Sequence, residues 1–459
     1  MGMVILCVFV IETPSDIARF QLENQVGDWI VHIVPIADHH PVICTPSILF
    51  IRNILTGKTY YYAFKHPDSK PSTQLQFEAI VRHHPNQKWV LYKKAFDQMF
   101  CGVANTLDAN AVAWMRGDDI LEVSEYETAA HYLVRKNASG HDRLNLVIPL
   151  MKHMETFDEM ATDLTELIAG FKVDSTFTQF NNLIIGTLGD LESQGIFVDH
   201  NLFQQRYKQE PVSKDTVYSQ YNVYTSTGRP SNSFNNVNFA ALNQSDGTRK
   251  CFRSRYGTDG CMAVLDYTSF HPRIVSHLVK HEVPVDIDVY AYLAKLYFQK
   301  KDVDETDIKN AKALTFRQFY GGIEDKYLHI KYLANIKSFT EEQWELFNTR
   351  GYVETPFFKR RITSKHISEP NPPKVFNYIL QATEGELSIP KVKAVMEYLK
   401  GKQTKAILYV YDSIVLDFHK NDGYNTLKDI KQIMSFDGKF PMKTYIGKTY
   451  HDVTLTSII

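Results

Sequence analysis

Two aspartates, Asp266 and Asp412, each close an apolar run, and a lysine with two aromatic residues, Lys312, Phe316 and Tyr320, lies between them. Cys261–Tyr267 (CMAVLDY) has the pattern of a buried central strand that delivers one carboxylate near its end. Ala406–Tyr411 (AILYVY), then Asp412-Ser413, then Ile414–Phe418 reads as a tight hairpin with Asp412 at its turn. Paired carboxylates suit hard Mg²⁺, which takes one or two carboxylates and leaves its other positions to phosphate oxygens and water. Two such ions, between an attacking 3′-hydroxyl and a leaving pyrophosphate, would serve phosphoryl transfer from a nucleoside triphosphate. Either aspartate alone reads as an ordinary turn residue, because Asp favours turns and strand ends. Asp417, on the second hairpin strand, is a reserve ligand whose simpler reading is a solvent-facing position.

A helix must present the lysine and the rings. Asp304, Glu305 and Asp307 mark its start and Gly321-Gly322 its end, as macrodipole and C-cap preferences require. Lys312, Phe316 and Tyr320 then fall at i, i+4 and i+8 on one stripe, with Lys309 about one turn earlier. Lysine supplies compact positive charge to phosphates, and the rings supply a platform beside base and sugar. Taken singly, the same pattern is an amphipathic surface helix.

The chain of 459 residues, 44% hydrophobic and 13% aromatic, has room for two or three domains with large cores. Its net charge of −1 excludes a global basic field, so any nucleic-acid surface must be local. Lys359-Arg360-Arg361 with Lys365, and Lys400, Lys402 and Lys405, are the candidate runs, each of which alone reads as a solvated face. The five cysteines form no C-x-x-C pair, which argues against a zinc knuckle or a disulfide framework and fits a reducing cytoplasm. The apolar segment Met3–Ile11 is too short to span a bilayer and lacks a basic leader; it reads as a first strand, and no membrane partner is expected.

Residues 1–165 alternate β-rich runs (Val31–Val34, Ile48–Ile51, Thr59–Phe64, Trp89–Tyr92) with polar turns such as Thr56-Gly57-Lys58, predicting a self-standing α/β domain. A helix is predicted over Ser175–Gln194, ended by Gly195, and the motifs are dense from Tyr221 onward. Pro370-Asn371-Pro372-Pro373 breaks the chain just before another predicted helix.

In order and in residue type, these segments resemble the polymerase family of bacterial DNA polymerase I and its phage relatives, family A, over roughly Phe180 to Phe418. Leu188-Gly-Asp-Leu-Glu192-x2-Gly195-Ile-Phe-Val-Asp199 is similar to the family's entry into its polymerase module. Thr225-Ser-Thr-Gly-Arg229-Pro-Ser231, Asn238-Phe-Ala-Ala-Leu242 and Arg249-x2-Phe252 follow in the family's order, ahead of Asp266. The resemblance implies primer–template contacts for Arg229 and Asn238, phosphate contacts for Arg249, and template and primer contacts for Asn377 and Gln381 of Asn377-x3-Gln381. It also implies an α+β fold for residues 175–459: a right-hand palm on an antiparallel sheet with helical fingers at about 280–370.

The departures are specific. The family's Asp-Tyr-Ser-Gln-Ile-Glu reads Asp266-Tyr-Thr-Ser-Phe-His271 here, so the glutamate that excludes ribose is His271; the family's His-Asp-Glu reads Tyr411-Asp412-Ser413, closer to single-subunit RNA polymerases. Ile308 replaces an arginine, with Lys309 as its substitute. About 25 residues separate Asp199 from Thr225, where the family inserts a helical thumb, so the thumb is expected to be short or absent. Residues 1–165 stand where the family has its 3′→5′ exonuclease, but Val10-Ile11-Glu12-Thr13 lacks the first aspartate, and Phe96-Asp97 follows Lys93 where an asparagine is usual. A degenerate, inactive exonuclease-like domain is the expectation.

The leading expectation is a template-directed DNA polymerase using primer–template DNA and dNTPs, without proofreading and of low processivity unless a replisome partner assists. Asp266, Asp412 and the Tyr267 carbonyl would hold two Mg²⁺. Lys312, Lys309 and Arg249 would hold phosphates, and Phe316, Tyr320 and His271 would meet base and sugar. An RNA polymerase or primase on the same palm, and a non-catalytic DNA-binding subunit, are the alternatives. A compact enzyme of this kind would suit a phage or similar replicon.

Overall fold

A computed structural model describes residues 8–36, 40–122 and 149–456; the start of the expected first strand, with Cys7, lies outside them. The chain divides into two compact units, Met1–Ser193 and Gln194–Ile459.

The N-terminal unit is built on a six-stranded sheet of order β1-β4-β3-β2-β5-β6. Strands β2 (Trp29–Pro35), β3 (Pro46–Asn53) and β4 (Thr59–Ala63) form an antiparallel meander. Strands β5 (Lys88–Val90) and β6 (Thr106–Asp108) extend it in parallel beyond β2. All seven residues of β2 are buried, as a central strand covered on both faces must be. Helices α1 (Pro14–Glu23), α2 (Leu75–His83), α3 (Lys93–Met99), α4 (Ala109–Arg116) and α5 (Leu150–Ile168) surround the sheet. Phe20, Trp29, Tyr60, Tyr62 and Phe77 form the centre of its core.

The first strand is β1 (Val8–Val10), which among the described residues is an edge strand paired with β4. Glu12 follows it in an exposed position, its N–H donating to Asp16 Oδ2 at 3.2 Å, while Asp97 on α3 is held in an ion pair by Lys93. The single helix expected over 175–194 is instead α6 (Ser175–Phe180), a π-type stretch Asn181–Gly186, and α7 (Thr187–Ser193). The cause is Asn181, fully buried, whose Nδ2 donates to the Phe177 carbonyl at 3.0 Å while its Oδ1 accepts the Asp108 N–H at 2.8 Å. A side chain that competes for ladder groups widens the turn around it.

The C-terminal unit centres on an antiparallel five-stranded sheet of order β15-β16-β12-β17-β18. Before it come α8 (His200–Tyr207), the pair β7 (Ile196–Phe197) with β8 (Thr216–Val217), and the small sheet of β9 (Tyr221–Asn222), β10 (Ser231–Phe234) and β11 (Val237–Asn238). Between Asp199 and Thr225 the only helix is the eight-residue α8. The sheet consists of β12 (Gly260–Tyr267), β15 (Lys405–Val410), β16 (Ser413–His419), β17 (Met442–Gly447) and β18 (Thr454–Leu455). Met262 and Val264 join Val198, Phe203, Phe252, Ile407 and Val415 in the core on one face.

Helices α9 (Phe270–Leu278), α10 (Val289–Phe298), α11 (Glu305–Gly321) and α12 (Lys331–Arg350) follow β12, then the hairpin of β13 (Tyr352–Glu354) and β14 (Arg361–Thr363). Asn371 caps α13 (Pro372–Tyr398) by accepting the Lys374 N–H at 3.0 Å, so the proline cluster starts this 27-residue helix where expected. Helix α13 packs against α9, α11, α12, β15 and the last helix, α14 (Tyr424–Met434). Among the described residues, no helix is long and apolar enough to cross a membrane.

Candidate active site

Alternation along β12 puts Asp266 on the same face as Met262 and Val264, one residue from the strand's end. In the two ladders Asp266 stands opposite Ser413 of β16 and Lys443 of β17. The Tyr267 N–H donates to the Asp412 carbonyl at 3.0 Å, so the turn carrying Asp412 is tied to the strand carrying Asp266. Tyr411 takes a positive φ of 57° in that turn, uncommon for a bulky residue, and the Arg229 guanidinium lies 3.8 Å over its ring centroid.

Burial, and then the charge of Asp412, push Asp266 up to about 7, while Lys443 and Lys312 pull it down. Asp412 is raised too, first by burial and then by Glu384, against the pull of its own backbone, Arg229 and His271. The two carboxylates offer oxygen donors, the kind that Mg²⁺ accepts. Among the described residues no group of three or more His, Cys, Asp or Glu is poised for a metal.

Helix α11 starts at a capping box, with Asp304 and Asp307 each bonded to the other's backbone N–H, and Gly322 ends it at φ 97°. Ala311, Thr315 and Phe319 face the core, which leaves Lys309, Lys312, Phe316 and Tyr320 on the outer side. The Phe316 and Tyr320 rings are nearly parallel (7°), 5.8 Å apart. The Lys312 Nζ lies 5.6 Å from the Tyr290 ring centroid.

The Thr225–Ser231 loop approaches α13 closely. A Cβ at Gly228, where φ is +75°, would come within 3.2 Å of the Ala382 Cβ, so glycine is needed on both counts. The loop delivers Arg229, whose Nε donates to Glu384 at 3.0 Å. The other Glu384 oxygen is 2.6 Å from His271 Nε2, and His271 Nδ1 is 3.1 Å from the Tyr320 hydroxyl. Asn377 and Gln381 lie on the same face of α13 as Glu384; Asn377 is buried, with its Oδ1 lacking a hydrogen-bond partner. Asn238 caps a short 3₁₀ turn, accepting the Ala240 N–H at 3.2 Å. Arg249 donates to the Leu242 carbonyl at 2.9 Å and covers the Tyr450 ring at 4.3 Å; the Tyr450 hydroxyl in turn feels both Arg249 and Asp266.

Two candidates from the sequence are displaced. Asp417 is neither solvent-facing nor beside Asp266: it stands opposite Met262, fully buried, accepting from Ser254 Oγ at 2.6 Å and Arg255 Nε at 2.7 Å. Arg360 is no solvated face either, since it is wholly buried and donates to the Ser226 carbonyl at 2.6 Å, beneath the Arg229 loop. Glu384 and Lys443 were missed. The spacing Asn377, Gln381, Glu384 (i, i+4, i+7) carried a signal for the first; only the ladder register reveals the second.

The protein-family model described as DNA polymerase family A matches residues 200–452. DNA polymerase I of Streptococcus pneumoniae is 28% identical over 249 residues, covering 46% of this chain and 28% of that protein. The thermostable DNA polymerase I of Thermus aquaticus is 25% identical over 257 residues, covering 49% and 30%. The chain therefore matches less than a third of the length of these curated relatives. The fold is similar to a solved structure of the POL domain of Pol1 from M. smegmatis in complex with DNA primer-template and dNTP, with a TM-score of 0.73 at 13% identity, covering 96% of this chain and 99% of that one. With the family model spanning more than half of its residues, and with that span holding Asp266, Lys312, Glu384 and Asp412, this chain belongs to DNA polymerase family A.

Proposed function

We propose that the chain is a template-directed DNA polymerase that adds deoxynucleotides to a primer 3′ end. The observation that carries this reading is the convergence of Asp266 and Asp412 at one end of the sheet, with Lys312 close enough to act on Asp266 electrostatically. Asp266, Asp412 and the Tyr267 carbonyl would hold two Mg²⁺, which when bound would neutralise charge on the transferring phosphoryl group. Lys312 and Lys309 attract the triphosphate from the exposed face of α11, and Arg249 approaches the same end of β12 through Tyr450. The parallel Phe316 and Tyr320 rings offer the base and sugar a flat surface, with His271 fixed behind Tyr320. Arg229, Asn238, Asn377 and Gln381 contact primer and template, a role supported by the family resemblance and by the buried, unsatisfied Oδ1 of Asn377.

Deoxyribose is the preferred sugar, because Tyr320, tethered to His271, would crowd a 2′-hydroxyl. The N-terminal domain does not excise: Glu12 is exposed beside an edge strand and Asp97 is committed to Lys93. The five cysteines, which form no C-x-x-C pair, support a reducing, cytoplasmic setting.

The test is primer extension on a defined template with Mg²⁺ and either dNTPs or rNTPs. Metal-dependent, template-matched growth with dNTPs is expected. Equal use of both sugars would favour an RNA polymerase or primase, and no growth with either would favour a DNA-binding subunit. Metal-dependent shortening of a labelled single strand, lost on Glu12→Gln, would overturn the reading of the N-terminal domain.

A further inference from the structure

Helix α13 carries a carboxylate that neither the spacing of the catalytic motifs nor the family resemblance assigns. Glu384 is completely buried, and a buried carboxylate costs several kcal/mol unless paired and hydrogen-bonded. Both of its oxygens are engaged, one by Arg229 Nε at 3.0 Å and the other by His271 Nε2 at 2.6 Å. An ionised carboxylate only accepts, so Nε2 of His271 donates to it, and Nδ1 is left for a second hydrogen bond. That nitrogen is 3.1 Å from the hydroxyl of Tyr320, a residue 41% exposed at the outer end of the α11 stripe. A chain of contacts thus runs from a buried charge, through His271, to an exposed ring. The α9 helix and the Arg229 loop meet at this one side chain of α13, and α11 is reached through His271.

We infer that Glu384 is a specificity-determining positioning residue: acting through His271, it fixes the Tyr320 ring and hydroxyl against the 2′ position of the incoming sugar. It thereby supplies from α13 the carboxylate that residue 271 lacks. This rests on the DNA polymerase reading of the same site. A hydroxyl tethered to Nδ1 is held in place and cannot turn to a 2′-hydroxyl, whereas an untethered tyrosine can yield or rotate. Arg229 gains from the same pairing, since Glu384 holds its guanidinium over Tyr411, next to Asp412.

The test is single-nucleotide incorporation by the full chain on a primer–template with Mg²⁺, comparing kcat/KM for dATP and ATP. Glu384→Gln keeps the shape but weakens a charge-assisted bond, and is expected to lower the dATP-to-ATP ratio about tenfold or more, chiefly by raising ATP use. The double variant His271→Glu with Glu384→Ala moves the carboxylate to residue 271 and is expected to bring the ratio back to within about threefold of the unaltered chain, which a merely structural role for Glu384 would not do. An unchanged ratio in Glu384→Gln, or a double variant no more selective than Glu384→Gln, overturns the assignment. Should Glu384→Gln lose both activities together with its thermal stability, the double variant decides alone. An unaltered chain that incorporates neither nucleotide overturns the polymerase reading itself, and is distinguishable from every outcome that concerns Glu384.

Discussion

Asp266 and Asp412 are held together by backbone rather than by side chains: Asp266 stands opposite Ser413 in the β12–β16 ladder, and the next N–H, that of Tyr267, donates to the Asp412 carbonyl at 3.0 Å. Both carboxylates are therefore placed by the sheet itself. Their side chains stay free to bind ligands, and preorganisation of this kind lowers the cost of assembling a charged site.

Asp266→Asn and Asp412→Asn are each expected to reduce dNTP incorporation about a thousandfold or more, since each removes an anionic ligand where charge must be stabilised. Folding stability should not fall, because neither change breaks the backbone bonds and each relieves repulsion between two half-buried acids. Incorporation assays paired with thermal melts check both. Near-normal extension by either variant sinks the metal-ligand assignment.

Lys312→Ala should lower kcat/KM for dNTPs about ten- to a hundredfold, the range of one charge-assisted phosphate contact. Its side chain is exposed on α11, so the melting temperature should barely move. Steady-state kinetics with and without Lys312→Arg, which keeps the charge, would separate phosphate binding from helix packing.

Asp417→Asn should destabilise the C-terminal unit by about 3 kcal/mol, because Arg255 and Ser254 lose a buried, doubly bonded partner. Activity per folded molecule should persist, as Asp417 stands opposite Met262 rather than at the end of β12. Urea denaturation and active-site titration measure the two effects. Abolished activity in a stable Asp417→Asn protein would restore Asp417 as a ligand.

Acid should weaken the N-terminal unit through His32. Burial, reinforced by His153, lowers its pKa from the ordinary 6.5 to about 3, so it stays neutral in the folded state while the unfolded chain takes up a proton below pH 6.5. Its contribution is present in full above pH 6.5 and is lost as pH falls toward 3, by at most about 1.4 kcal/mol per pH unit. Urea midpoints at pH 7.5, 6.5 and 5.5 should fall in the parent and fall less in His32→Phe. Parallel slopes would exclude His32 as the cause.

Processivity should be low without a partner protein. Between Asp199 and Thr225 there is one eight-residue helix, and a net charge of −1 gives little long-range hold on DNA. Extension from a single binding event, with trap DNA present, should yield short products that shorten further with salt. Products hundreds of nucleotides long would overturn this expectation.

Local chemistry made much of the site legible. The acidic start and glycine end of α11, the cap after the proline cluster and the apolar runs ending in Asp266 and Asp412 are decided by neighbouring residues, so sequence spacing carries them to within a residue or two. The stripe of Lys312, Phe316 and Tyr320 follows from helical periodicity alone. Asn181 shows where that logic stops, because the π stretch depends on a bond to Asp108, 73 positions away. Asp417 and Arg360 show the same limit: a charged residue looks solvent-facing until the fold supplies Arg255 or the Ser226 carbonyl as its buried partner. Glu384 shares a helix face with Asn377 and Gln381, but its partners emerge only when α9 and the Arg229 loop bring His271 and Arg229 to it, with Tyr320 beyond His271. Sequence determined which groups were available and how each was aimed along its own helix or strand; tertiary packing decided which charges were buried together, because desolvation and pairing depend on neighbours distant in the chain.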